Sequence, residues 1–180
     1  MVMEVVTTVA DNGTVNFTRI YRTEPTTVPV HVGRILTNIP AYRFIFKDPL
    51  DLQKLFEDPA RASIAICKGM KKLHLDLLQA LTDVELTKRE EEIGDPTGPN
   101  TGPLLANWRN ACRAIPKDHA IEELIFDVSC ANKDALGPWL TKRLIQLLST
   151  TMMIKAKGDL RCVVQGLGDL TELKRFVVSR

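Results

Sequence analysis

Apolar and polar residues alternate with period two at the start of this chain. Val5, Thr7 and Val9 lead up to Asp11-Asn12-Gly13-Thr14, and Val15, Phe17, Arg19 and Tyr21 follow it. Two such runs around an Asn-Gly pair predict an antiparallel hairpin over 2–21 with a tight turn, because Asn and Gly both accept positive φ. The stretch from Thr23 to Pro29 contains Pro25 and Pro29 and reads as a connection leading into Val30–Leu36.

The pattern then changes. Tyr42-Arg43-Phe44-Ile45-Phe46 is aromatic and β-branched, which predicts a strand. Asp48-Pro49 is a helix start, with Asp as N-cap and Pro at the first helical position. Leu52, Leu55 and Phe56 share one helical face behind it. Asp58-Pro59 repeats the signal, and a short helix is expected to reach Lys68 with Gly69 as its left-handed stop. Leu73–Leu77 predicts a strand, residues 78–93 a charged helix, and Gly94 to Pro103 a loop. Leu105, Trp108, Ala111 and Cys112 mark a helix over 104–115 that Pro116 ends. Ile121–Ser129 reads as a strand. Gly137-Pro138 opens a helix striped by Leu140, Leu144, Leu147 and Leu148. Arg161–Leu167 and Phe176-Val177-Val178 predict the last strands.

Several of these strands align with one another. Met70, Leu73, Leu75 and Leu77 stand at offsets 0, 3, 5 and 7, and Ile121, Leu124, Phe126 and Val128 stand at the same offsets. Leu173, Phe176 and Val178 repeat the first three, and Ala41, Phe44 and Phe46 do so more loosely. Such a strand enters the core after a short turn, and a helix packs on it before the chain returns. The fold expected is therefore α/β, a largely parallel sheet of degenerate strand–helix (leucine-repeat-like) units with an N-terminal β-hairpin. Its strands fall near 43–47, 72–77, 122–128, 161–167 and 175–179. Residues 1–180 form a single domain, with the hairpin and connection at 1–36 and the strand–helix body at 37–180.

Composition agrees with a folded domain. The 180 residues are 44% hydrophobic and 26% charged, with 24 Lys plus Arg against 22 Asp plus Glu. The net charge of +2 exerts no strong pull on nucleic acid, and 6% aromatic content leaves few stacking platforms. Lys71 and Lys72 occupy the strand-entry positions that Glu122 and Glu123 occupy in the aligned unit, an alternation unlike a phosphate track. No apolar run approaches the ~18 residues of a membrane span. The N-terminus lacks the basic region of a signal peptide, so the chain is expected inside a cell, cytoplasmic or nuclear, with reduced, buried cysteines. Cys67, Cys112, Cys130 and Cys162 match no paired metal-ligand spacing, and His31, His74 and His119 have no second ligand at such a spacing. Gly166-Leu167-Gly168 lacks the rest of a dinucleotide fingerprint, and Cys112 and His119 are separated by Pro116. No catalytic residue, metal or cofactor is expected.

The order of segments resembles a known family. Tyr42-Arg43-Phe44-Ile45-Phe46-Lys47-Asp48-Pro49 is followed by Leu52 and Leu55-Phe56, then by Met70-Lys71-Lys72-Leu73-His74-Leu75. Asn107-Trp108-Arg109-Asn110-Ala111-Cys112 leads to Ile121-Glu122-Glu123-Leu124-Ile125-Phe126, and Leu173-Lys174-Arg175-Phe176-Val177-Val178 ends the series. Over residues 40–180 this resembles the leucine-repeat-like body of filamentous-fungal F-box-like proteins of unknown function. Their Leu-Pro-x-Glu-type entry helix is replaced here by the hairpin. The resemblance implies a recognition body that binds a protein.

The first functional expectation is thus a non-enzymatic protein-interaction module of unknown partner, with no nucleic acid and no membrane. Its surface would be formed by residues alternating with the core leucines: Arg43, Ile45, Lys47, His74, Asp76, Ile125 and Asp127, with isoleucine exposed among charges. The alternatives are a small enzyme using His74 and Asp76 as an acid–base pair, and a structural fragment of a larger assembly.

Overall fold

A computed structural model describes residues 2–21, 27–77, 103–129 and 161–166. The period-two runs become β1 (Met3–Val9) and β2 (Val15–Ile20), antiparallel with Val5 opposite Arg19 and Val9 opposite Val15. The turn is wider than the expected Asn-Gly pair. Ala10 N donates to Thr14 O at 3.0 Å, Gly13 N donates to Ala10 O at 2.9 Å, and Gly13 lies at φ +79. The loop is therefore Asp11–Gly13, three residues closed by a glycine in the left-handed region. Asn12 Oδ1 steadies it by accepting from Thr14 N at 3.0 Å.

The expected connection holds a further strand, β3 (Thr27–Val30), antiparallel to β2. Pro29 has no N–H to give a second neighbour, and β3 lies at the sheet edge where none is needed. His31 then caps α1 (Val32–Thr37), its Nδ1 accepting from Gly33 N at 3.1 Å. A 3-10 turn, Ile39–Ala41, delivers the chain into β4 (Tyr42–Phe46).

Asp48 caps α2 (Pro49–Glu57) as the sequence predicts, its Oδ1 accepting from Leu50 N at 2.8 Å. Asp58 behaves differently. It closes α2 and accepts from the Ser63 hydroxyl and the Ala60 amide, and these donors hold its carboxyl below the usual range. The next helix, α3 (Arg61–Gly69), consequently starts two residues later than the Asp-Pro signal implies. Gly69 is helical, not left-handed. Its missing side chain serves packing instead, since a Cβ there would lie 3.0 to 3.2 Å from Ile39 side-chain atoms.

The remaining described elements are β5 (Lys72–Asp76), α4 (Pro103–Ala114), β6 (Glu123–Asp127) and β7 (Arg161–Gln165). β4 to β7 pair in parallel in chain order, and β1 joins β4 in parallel, giving the order β3-β2-β1-β4-β5-β6-β7. The expected mixed α/β fold, with a mostly parallel sheet and an N-terminal antiparallel hairpin, is what forms. The alignment offsets coincide with strand register: Phe44, Leu73 and Leu124 face one another in one row, Phe46, Leu75 and Phe126 in the next. The expected helices over 78–93 and beyond Gly137-Pro138, most of the loop over 94–103, Cys130, and the strand near 175–179 lie outside the described residues.

All four described helices send side chains to the face carrying those rows. Ile35, Leu52, Leu55, Ile66, Trp108, Ala111 and Cys112 join Val5, Phe17, Phe44, Leu73 and Leu124 in one buried cluster. Each large side chain buried there contributes ~1.5–3 kcal/mol. α2 also bonds the hairpin directly. Asp51 Oδ1 accepts from Val9 N at 2.8 Å, and Lys54 Nζ reaches Asp11 Oδ1 at 2.8 Å. Burial pushes the Asp51 carboxyl up, partly offset by the Val9 amide.

At the far side of the sheet, Gly166 ends β7 at φ +89, and a Cβ there would fall 2.2 Å from Ser129 N. Gly166→Ala is expected to cost ~2 kcal/mol or more, from strain plus collision. Gly13→Ala, at φ +79 in open space, should cost only ~1 kcal/mol. Urea unfolding of the two variants measures the difference, and equal losses would contradict the close packing at Gly166.

Candidate functional site

The face away from the described helices has three rows, because side chains alternate along each strand and the register aligns them. The first row runs Glu4, Arg43, Lys72, Glu123, Arg161 across β1, β4, β5, β6 and β7. The second runs Val6, Ile45, His74, Ile125, Val163. The third lies at the carboxyl ends of the parallel strands, where Asp76, Asp127 and Gln165 are side by side and Lys47 follows the Phe46–Leu75 pair.

The first row is tied internally. Arg43 donates through Nη1 to Glu4 Oε1 at 2.7 Å and through Nη2 to Glu123 Oε1, so one guanidinium spans from β1 to β6. Lys72 Nζ donates to Pro40 O at 2.8 Å, and Arg161 stands 3.9 Å from Glu123. The strand-entry charge alternation seen in the sequence becomes a second cross-strand pair, Lys71 with Glu122. Arg43 is thus engaged within the fold, not displayed to a partner as expected. Glu4 and Glu123, its anchors, were not singled out by sequence reasoning. Their signal is a carboxylate at the same strand position as Arg43, one strand away for Glu4 and two for Glu123.

The second row corrects another expectation. Ile125 is 3% exposed and Ile45 is 6% exposed, so neither is an apolar residue displayed among charges. Each sits mid-row with a strand neighbour on both sides.

His74 projects from this row toward the carboxyl end. Its Nε2 lies 3.1 Å from Asp127 Oδ2, on the adjacent strand, while Asp127 Oδ1 accepts from Ser129 N at 2.9 Å. The hydrogen bond the structure gives His74 is therefore to Asp127 and not to Asp76, the residue with which it shares a strand. His74 Nδ1 is buried and has no hydrogen-bond partner. Burial pushes the Asp127 carboxyl up, but bonds from His74 and from the Ser129 hydroxyl and amide, with the His74 charge, outweigh it and hold the carboxyl at about 2. Lys47 is exposed and Asp76 and Asp127 are half-buried; Asp76 and Asp127 are paired in register beside Gln165, Ser129 is bonded to Asp127, and Lys47 follows β4 at the same strand ends.

The other candidate groups are structural. Burial pushes the Cys112 thiol up to about 12, far from a thiolate at neutral pH. Cys67 is likewise pushed up to about 12, by burial first and then by Asp58, and burial raises Cys162. Cys67 and Cys162 are half-buried, less enclosed than expected. His119 is buried and its Nδ1 accepts from Ile121 N at 3.2 Å. Among the described residues, no group of three or more His, Cys, Asp or Glu is placed to hold a metal ion, and no helix is long and apolar enough to cross a membrane. Comparison with protein-family models, with curated proteins and with solved structures finds no match to this chain.

Two outcomes follow from this geometry. Arg43→Ala breaks the half-buried pairs with Glu4 and Glu123 and is expected to cost about 3 kcal/mol in denaturant unfolding, while Arg43→Lys, which keeps the charge, costs less. The folded Asp127 carboxyl titrates below the ordinary aspartate value of 3.8. Its stabilisation is therefore complete above about pH 4 and is lost as the pH falls toward about 2. Unfolding free energies measured between these limits should fall for the wild type and fall less steeply for Asp127→Asn.

Proposed function

We propose that this chain is a non-enzymatic protein-interaction module that meets its partner with the carboxyl-end rim of the parallel strands. The observation that carries this reading is the polar rim on the face away from the described helices. Asp76, Asp127 and Gln165 lie side by side in register there, with Lys47 directly after β4 and exposed Ser129 bonded to Asp127. Mixed charge on a rigid scaffold suits selective recognition, since like charges on a wrong partner are repelled. In open α/β sheets, ligands bind beyond the carboxyl ends of the strands.

The leucine-repeat-like character belongs to the same proposal. It is supported by the match between the alignment offsets and the register, and by sheet order following chain order from β4 to β7. The likeness to F-box-like recognition bodies is compatible with it. An intracellular setting is supported by the free thiols of Cys67, Cys112 and Cys162. The acid–base alternative draws less support. General acid–base work needs a nitrogen within reach of substrate, and His74 commits one to Asp127 and buries the other.

The test compares capture by the wild type, by a Lys47→Glu/Ser129→Arg double variant, and by Lys117→Glu, an exposed change before β6 at the opposite strand ends. Proteins bound through the rim should fall at least about tenfold with the double variant, as expected for loss of charge complementarity, and stay with Lys117→Glu. Equal recovery with all three forms would sink the rim as the binding surface.

A further inference from the structure

A concave site lies at the end of the sheet opposite the rim, between the amino ends of the parallel strands and α1. It encloses ≈ 350 Å³ and is lined by Arg19, Tyr21, Val28, Arg34, Asn38 and Tyr42 among others. That volume falls within the range of small-ligand pockets. Arg19 comes from β2 and stands opposite Val28 of β3. Arg34 comes from the last turn of α1. Two guanidiniums from different elements thus converge on one cavity, and no carboxylate of a described residue lines it.

Among the described residues no carboxylate pairs with this charge. Neither Arg19 nor Arg34 forms an ion pair with any described residue, whereas Arg43 and Arg161 both do. Arg19 is instead held by an aromatic ring, its Cζ 4.6 Å from the centroid of Tyr21. That contact orients the planar fork and leaves its N–H donors for a ligand. Apolar surface adjoins the charge. Tyr21 and Val28 belong to the few large hydrophobic residues that stay exposed among the described ones, and both are in this lining.

We propose that this cavity binds a small soluble phosphomonoester with a compact apolar body. A phosphomonoester carries close to two negative charges at neutral pH, its second pKa being ~6, which matches two guanidiniums. Its oxygens suit the bidentate geometry of arginine better than a single carboxylate would. The apolar body rests on Tyr21 and Val28. The site is separate from the carboxyl-end rim and does not depend on the interaction reading.

Isothermal titration of the full chain with phenyl phosphate, inorganic phosphate and benzoate tests this. Phenyl phosphate should bind saturably and most tightly, inorganic phosphate more weakly for want of the ring, and benzoate more weakly for want of the second charge. Arg19→Gln and Arg34→Gln should each weaken phenyl phosphate binding about tenfold or more, the loss expected for one charge-assisted contact. Arg34 is exposed, so Arg34→Gln decides the matter even if Arg19→Gln fails to fold. No saturable binding by the wild type would overturn the proposal. So would unchanged affinity in Arg34→Gln, or benzoate binding as tightly as phenyl phosphate.

Discussion

Strand register is the constraint on which this fold depends, and two different forces set it. Apolar alternation forbids a one-residue slip, because that would turn Phe44, Leu73 and Leu124 away from the helices and bring Arg43, Lys72 and Glu123 in. A two-residue slip keeps every residue on its proper face, so burial alone does not prevent it. The charged row does. Moving β4 by two residues against β1 would set Glu4 beside Ile45 and break the half-buried pairs of Arg43 with its carboxylates. Arg43 spans from β1 to β6, so one side chain reports on the alignment of four strands.

The hairpin and the parallel body are joined by the same logic. β1 is antiparallel to β2 and parallel to β4, so it is the strand where the two kinds of pairing meet. α2 closes that junction from the helical side. Its apolar face enters the core, while Asp51 takes the Val9 amide and Lys54 takes Asp11 at the hairpin loop. Sheet, helix and loop are thereby tied within one turn of helix.

The polar rim is a consequence of this arrangement. With register fixed and β4 to β7 parallel, the residues ending each strand must lie together, whatever their types. Asp127 is held ionised there by His74 and Ser129 against the cost of burial. The opposite strand ends, beside β3 and α1, gather arginines and exposed apolar groups instead. The two ends of one sheet therefore present different chemistry.

Local signals in the sequence settled the local structure. Period-two alternation marked β1 and β2, Asp48-Pro49 marked the start of α2, Pro116 followed the end of α4, and the shared offsets of 41–46, 70–77 and 121–128 anticipated which residues stack. These features rest on interactions within a few residues or on which side of a strand faces the core. The sequence was misleading where a distant group changed the balance. Gly69 reads as a left-handed stop but makes room for Ile39, and Asp58-Pro59 reads as a helix start but Asp58 bonds Ser63 and Ala60. The candidate sites were legible only as residue types. That His74 bonds Asp127 across 53 positions, that Arg43 is tied to Glu4 and Glu123, that Ile125 is buried, and that Arg19 and Arg34 share a cavity are decisions of tertiary structure. Partners across a sheet are set by register and strand order, and neither is written in the spacing of any one segment.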